Sequence, residues 1–197
     1  KNGFEQHINQ EPVEEYWFKV FTNCEPLGQH IFKVDHPLLK KLRKIEDYPN
    51  QTNFELRFYF APNDYFDNEY LSVKGEVDST DQDYPIKIES SKINWKEGKD
   101  FTKKTVEKKQ RNKRTGVIKS VTKVQDTDSF FNIFQTLERK VIGEGQFDDF
   151  DDNALKLQMN FEILNSIRQI IKEHLPFYLG VKTGLDEPHM AFGGEGV

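Results

Sequence analysis

The sequence predicts an α+β fold: an antiparallel sheet with underlying helices and a protruding basic β-hairpin. Three observations carry this. Apolar residues recur at helical spacing near both ends of the chain. Between them lie short stretches of period two, joined by connections that favour antiparallel pairing. Residues 101–125 hold strand-forming side chains but few apolar ones, as a solvated hairpin requires. Helices segregated around antiparallel strands define the α+β class.

Residues 1–11 show no period and read as a lead-in. From Pro12, the spacing Val13, Tyr16, Trp17, Val20, Phe21 predicts a first helix ending at Asn23 or at Pro26–Gly28. Pro12 suits a first turn, and Glu14 and Glu15 suit the positive end of the dipole. A second helix is expected from Asp35, with Pro37 just inside and Leu38, Leu39, Leu42 and Ile45 as its apolar stripe. Lys40, Lys41, Arg43 and Lys44 fall late on the other face, and Pro49-Asn50 stops it.

Phe54, Leu56, Phe58 and Phe60 alternate with Glu55, Arg57 and Tyr59, which predicts a strand. Ala61-Pro62-Asn63-Asp64 is a turn signal. Further strands are expected at Leu71–Val77 and Pro85–Glu89, then the hairpin over 101–125 with its turn near Arg114-Thr115-Gly116. Asp126 or Asp128 is expected to cap a short helix through Ser129–Phe134. Gly143–Asp152 reads as an acidic loop, with Asp151 or Asp152 capping a last helix. That helix carries Leu157, Phe161, Leu164, Ile167, Ile171 and Leu175, and Pro176 ends it. One domain over 12–180 and a loose, Gly-rich tail over 181–197 complete the plan.

A chain of 197 residues can bury a core without disulfides, and 17 Phe with 7 Tyr make that core aromatic. Cys24 is the single cysteine, so no disulfide forms within the chain, in keeping with a reducing, intracellular compartment. No apolar run approaches the ~20 residues of a membrane span. A start at Lys1 rather than Met reads as a fragment or a processed chain.

Charge is segregated. The net charge is −5, yet residues 101–123 hold nine Lys/Arg against Glu107 alone. The other 174 residues carry 19 basic and 32 acidic side chains. Such a body favours basic partners and repels phosphates.

Catalytic patterns are not found. The five histidines lack ligand spacing, and one cysteine cannot complete a zinc site. There is no Gly-x-Ser-x-Gly elbow and no phosphate-binding Gly-rich loop before a Lys. Cys24 has no evident base and reads as a packed, inert thiol. The carboxylates occur in runs, whereas acid–base catalysis needs them in contrasting environments. No catalytic residue, metal or cofactor is expected.

Two constellations remain. The basic strip is Lys103, Lys104, Lys108, Lys109, Arg111, Lys113, Arg114, Lys119 and Lys123. It reads first as a nuclear import signal, next as a solvated hairpin, and third as a weak DNA contact. Phe101 is its one aromatic, so stacking platforms for single strands are lacking. The acidic set is Asp64, Asp67, Glu69, then Asp78, Asp81, Asp83, then Glu144, Asp148, Asp149, Asp151, Asp152. Its bland reading is solubility and helix capping; its functional reading is a surface for a basic protein. Tyr65, Phe66, Phe147 and Phe150 lie among these acids as apolar anchors or as core.

Several blocks resemble one family. Pro12–Phe21 is similar to the I-P-x-F-W-x-x-x-F opening of the nucleosome assembly protein domain, with Val13–Tyr16 departing from it. Phe58-Tyr-Phe60-Ala-Pro-Asn63-Asp-Tyr65-Phe66-Asp-Asn68-Glu-Tyr-Leu71 resembles its F-x-F-x-x-N-x-Y-F-x-N-x-x-L block. Ile93–Asp100 with Thr102, Lys108–Lys113, and Ser129-Phe130-Phe131-Asn132-Ile133-Phe134 resemble the blocks that follow. The order is right over about residues 12–180.

The resemblance implies a histone chaperone of the nucleosome assembly protein/SET family, with no enzyme activity. It would bind core histones and deliver them for nucleosome assembly. Asp64, Asp67, Glu69, Glu144, Asp148, Asp149, Asp151 and Asp152 are the expected histone contacts. The basic hairpin would meet an import receptor, placing the protein in the nucleus with shuttling to the cytoplasm. A homodimer is implied, but the residues before Pro12 carry no heptads for the family's dimerisation helix. The chain end, Gly193–Val197, also lacks the long acidic tail of many members, so the domain's own acids must hold histones. The rival readings are a nucleic-acid-binding domain using the hairpin, and a SET-like inhibitor or scaffold of a signalling enzyme.

Overall fold

A computed structural model describes residues 13–81, 83–111, 113–142, 146–148 and 151–186. Helix α1 (Tyr16–Asn23) buries Trp17, Val20 and Phe21 on one face. It opens later than expected, because Glu15 takes a left-handed conformation at φ 56° and Val13 is left exposed. Two single-turn helices follow, α2 (Glu25–Gly28) and α3 (His36–Leu39), each with Pro in its first turn.

The expected second helix is mostly a strand. Only α3 is helical, and Leu42–Pro49 forms β1. Leu42 and Ile45 are both buried although three apart. The register against the next strand shifts between Leu42 and Lys44, which marks a bulge at Arg43. The extra residue returns Ile45 to the face of Leu42. A bulged strand thereby reproduces helical spacing.

The remaining strands fall where the alternation put them: β2 (Asn53–Phe60), β3 (Tyr70–Val77) and β4 (Pro85–Ser90). With β7 (Leu137–Glu138) they form an antiparallel sheet of order β1-β2-β3-β4-β7. Helix α4 (Asp152–Lys172) packs across its inner face against β4, β7 and β1. Phe54, Leu56, Phe58, Leu71, Val73 and Ile88 from the sheet meet Leu157, Phe161, Leu164 and Ile167 from α4 in one core. At Gly75 any side chain would collide with the Phe54 ring, 2.5 Å from where a Cβ would sit. The glycine lets Phe54 and Phe161 pack directly on the strand.

Helix α4 stops at Lys172 rather than at Pro176. A proline removes the hydrogen bond to the carbonyl four residues earlier and clashes with it, and for Pro176 that carbonyl belongs to Lys172. Pro176 then sits inside a separate helix, α5 (His174–Tyr178), and Leu175 is exposed rather than part of the stripe.

Strands β5 (Lys103–Arg111) and β6 (Ile118–Asp126) form the expected hairpin, a separate two-stranded ribbon. The short helix after it is a 3-10 turn, Phe130–Phe134, and Ser129 rather than Asp126 or Asp128 caps it. The Ser129 hydroxyl accepts from the Phe131 amide and donates to Asp35. The expected loop Gly143–Asp152 holds a short strand, β9 (Gln146–Phe147), which pairs with β8 (Val141–Ile142) just before it. Among the expected contacts there, Glu144 and Asp149 lie outside the described residues, as does Phe150.

Candidate functional site

The acids gather at two places. Asp64, Asp67 and Glu69 are exposed on the β2–β3 connection. Asn63 shapes this loop by accepting the amides of Tyr65 and Phe66 at its side-chain oxygen. Phe66 is buried against Trp95 and Phe60, so it is core rather than a surface anchor. Lys96 ties the loop by donating to the Asn63 carbonyl and pairing with Asp67 at 3.5 Å.

The second gathering lies at the other end of β3. Asp78, Asp81 and Asp83 occupy the β3–β4 connection. Asp78 is engaged locally: the Thr80 hydroxyl and amide hold its carboxyl below the ordinary range. The Phe147 ring packs on Tyr84 at 5.9 Å, which brings the loop before α4 beside these acids. Asp148 and Asp151 are half-buried and Asp152 is exposed. Asp151 stands at the N-cap of α4, but its side chain makes no cap bond.

The structure therefore divides the sequence-predicted acids. The Tyr84–Phe147 contact brings Asp148 beside the Asp78–Asp83 connection, Asp151 and Asp152 follow at the start of α4, and Asp64, Asp67 and Glu69 stand apart. The eight residues of β3 separate the ends by about 25 Å. Among the described residues, Asp64, Glu69, Asp83 and Asp152 have no ion-pair partner.

The cations sit on the ribbon. Lys103, Lys104, Lys108, Lys109, Arg111, Lys113, Arg114, Lys119 and Lys123 are all exposed. Its strands pack on each other and make no extensive contact with another strand or helix. Its base is clamped by aromatics. Phe101 packs edge-on against Tyr65, Trp95 and Phe131. The Thr127 amide and hydroxyl donate to the carbonyls of Thr102 and Phe101. Lys156 on α4, which no sequence pattern singles out, reaches Asp126 at 3.8 Å. The signal for the clamp is present in the sequence, since Trp95, Phe101 and Phe130-Phe131 bracket the polar stretch.

Cys24 is buried, and burial pushes its thiol up, away from reactivity. Among the described residues no group of three His, Cys, Asp or Glu is placed to hold a metal ion. No described helix is long and apolar enough to cross a membrane. What the surface offers chemically is charge: carboxylates in loops at both ends of a rigid sheet, and cations on an arm.

Fold and surface together define an α+β module with acidic sheet ends and a basic ribbon. A family model described as Nucleosome assembly protein (NAP) matches residues 1–181, and the chain belongs to that family. It is 34% identical over 189 residues to mouse Nucleosome assembly protein 1-like 4, covering 88% of this chain and 49% of that protein. Mouse Nucleosome assembly protein 1-like 1 is 37% identical over 182 residues, covering 85% and 46%. The chain thus spans about half the length of these relatives. Nucleosome Assembly Protein 1 from Plasmodium knowlesi superposes with a TM-score of 0.64 at 22% identity, covering 88% of this chain and 73% of that one. A nucleosome assembly protein from Plasmodium falciparum gives 0.59 at 21%, covering 86% and 68%. These superpositions show the same fold.

Proposed function

We propose that this chain is the histone-binding domain of a non-enzymatic chaperone that delivers core histones for nucleosome assembly. One observation carries the reading: within a NAP-family fold, exposed carboxylates stand in loops at both ends of the sheet, apart from the nine cations of the ribbon. Acidic loops compete with DNA phosphates for histone Lys and Arg, yet exposed ion pairs are individually weak. Binding of this kind lets go when a denser polyanion arrives. The ribbon, through Lys103, Lys104, Lys108, Lys109, Arg111, Lys113 and Arg114, is read by an import receptor and places the protein in the nucleus.

Core-histone pull-down at rising salt tests the first part. The triple variants D64N/D67N/E69Q and D148N/D151N/D152N are each expected to weaken binding about tenfold. Undiminished binding with both sets neutralised would refute the reading. For the second part, a reporter fused to the chain should lose nuclear accumulation when the seven ribbon cations become Gln, and retained accumulation would remove the ribbon from import.

A further inference from the structure

The ribbon has two unlike faces. In an antiparallel pair, directly opposed residues share a face and successive rungs alternate. The register pairs Lys104 with Gln125, Val106 with Lys123, Lys108 with Val121, and Gln110 with Lys119. These four rungs make one face, with four lysines, two valines, two glutamines and no acid. The other face holds Lys103, Lys109 and Arg111, but also both acids of the two strands, Glu107 and Asp126. Ser120 donates to Glu107, and Asp126 pairs with Lys156. Through that pair the mixed face turns towards α4 at the base, so the acid-free face turns away from it.

The lysines of the acid-free face form a zigzag. Lys104 lies on β5, Lys123 on β6, Lys108 on β5 and Lys119 on β6, one per rung. Each step advances about 7 Å, so the four cations span about 20 Å. All four are exposed and without an ion-pair partner among the described residues. Lys113 and Arg114 extend the positive charge to the tip.

We propose that this lysine zigzag binds the phosphate backbone of duplex nucleic acid, independently of the histone reading. Regular spacing without an acid or a side-chain pocket suits a repeating polyanion rather than a particular peptide. Lysine acts on phosphate as a point charge that imposes no planar geometry. A two-stranded ribbon is also of a width that a duplex groove admits. The described ribbon strands carry no aromatic residue to stack on unpaired bases, which favours duplex over single strand. The contact is therefore sequence-independent and salt-sensitive.

The test uses the intact chain and a fluorescent duplex of about 20 base pairs, the length of two turns, over a salt series. Four phosphate contacts give a slope of log K against log salt near −3.6, about 0.9 per contact. The triple K104Q/K108Q/K123Q should weaken binding at least tenfold and reduce the slope by about 2.7. The triple K103Q/K109Q/R111Q removes the same charge from the other face and should cost threefold at most. Circular dichroism of both variants should match the parent, since the ribbon lies outside the core. Equal losses from the two triples would reduce the effect to net charge and overturn the proposal. Tighter binding of the matching single strand, or equal competition by polyglutamate at the same charge concentration, would overturn its choice of partner.

Discussion

Asp35 holds two distant segments together from inside the core. It is fully buried and accepts from the Phe32 amide, the Phe130 amide and the Ser129 hydroxyl at 2.6–2.9 Å. Burial pushes its carboxyl up, while those three bonds pull it down. The net is upward, so its share of stability is full below the ordinary value and is lost as pH rises through the raised one. Asp35→Ala leaves two amides and a hydroxyl without partners. We expect a loss of about 3 kcal/mol in urea unfolding; a loss under about 1 kcal/mol would mean water replaces the carboxylate. Glu46 is the opposite case on the open face of the sheet. Bonds from Lys44, Tyr59 and Tyr48 hold its carboxyl at about 2. Its stabilising share is present above the ordinary 4.5 and is lost as pH falls through about 2. A carboxyl resonance titrating near 4.5 by NMR would dismiss this cluster. Gly75→Ala forces a methyl into Phe54 and should cost about 1–3 kcal/mol by the same unfolding measurement.

Among the elements, regular strands are legible in the sequence and irregular ones are not. β2 and β3 alternate cleanly because one face is buried throughout, whereas in β4 the register slips at Ile86 and the buried positions, Pro85 and Ile88, are three apart. β1 imitates a helix because the bulge at Arg43 puts Leu42 and Ile45 on one face, a spacing shared with a helix turn. Only pairing with β2 distinguishes the two, and pairing is not local. Pro176 looks like a stop, but its effect falls four residues earlier, at Lys172. The ribbon is legible because a polar stretch with strand formers cannot enter a core. It should also be separable from the fold. Replacing residues 104–125 by a short Gly-rich turn should shift the melting temperature by no more than about 4 °C, since little apolar area is lost. A larger drop in a thermal scan would show that the ribbon supports the sheet. The acids are legible as runs, but their grouping is not. Glu69 and Asp78 are near neighbours in sequence, yet they lie beyond opposite ends of β3. Asp148 is far from Asp83 in sequence, yet the Tyr84–Phe147 contact brings their loops together.

For the whole molecule, the proposed function makes the spacing of the two acidic ends decide how a basic partner would be held. They stand about 25 Å apart on a rigid sheet. A short basic peptide of about six residues reaches at most about 21 Å when fully extended, so it engages one end at a time. On the proposed reading, a folded histone pair presents cations over a wider surface and would engage both ends, the second contact being intramolecular once the first is made. Calorimetry separates the two regimes. With the short peptide, neutralising Asp64, Asp67 and Glu69 should lower the stoichiometry from two to one and leave the remaining affinity unchanged. With folded histones, the same variant should leave the stoichiometry unchanged and weaken the affinity about tenfold. Neutralising Asp148, Asp151 and Asp152 should do likewise, and the combined variant should lose about the product of the two. A folded histone that ignores one end altogether would confine the interface to the other. The short peptide binding one-to-one to the unmodified chain would do the same, because two separated acidic ends cannot be saturated by a ligand that spans only one.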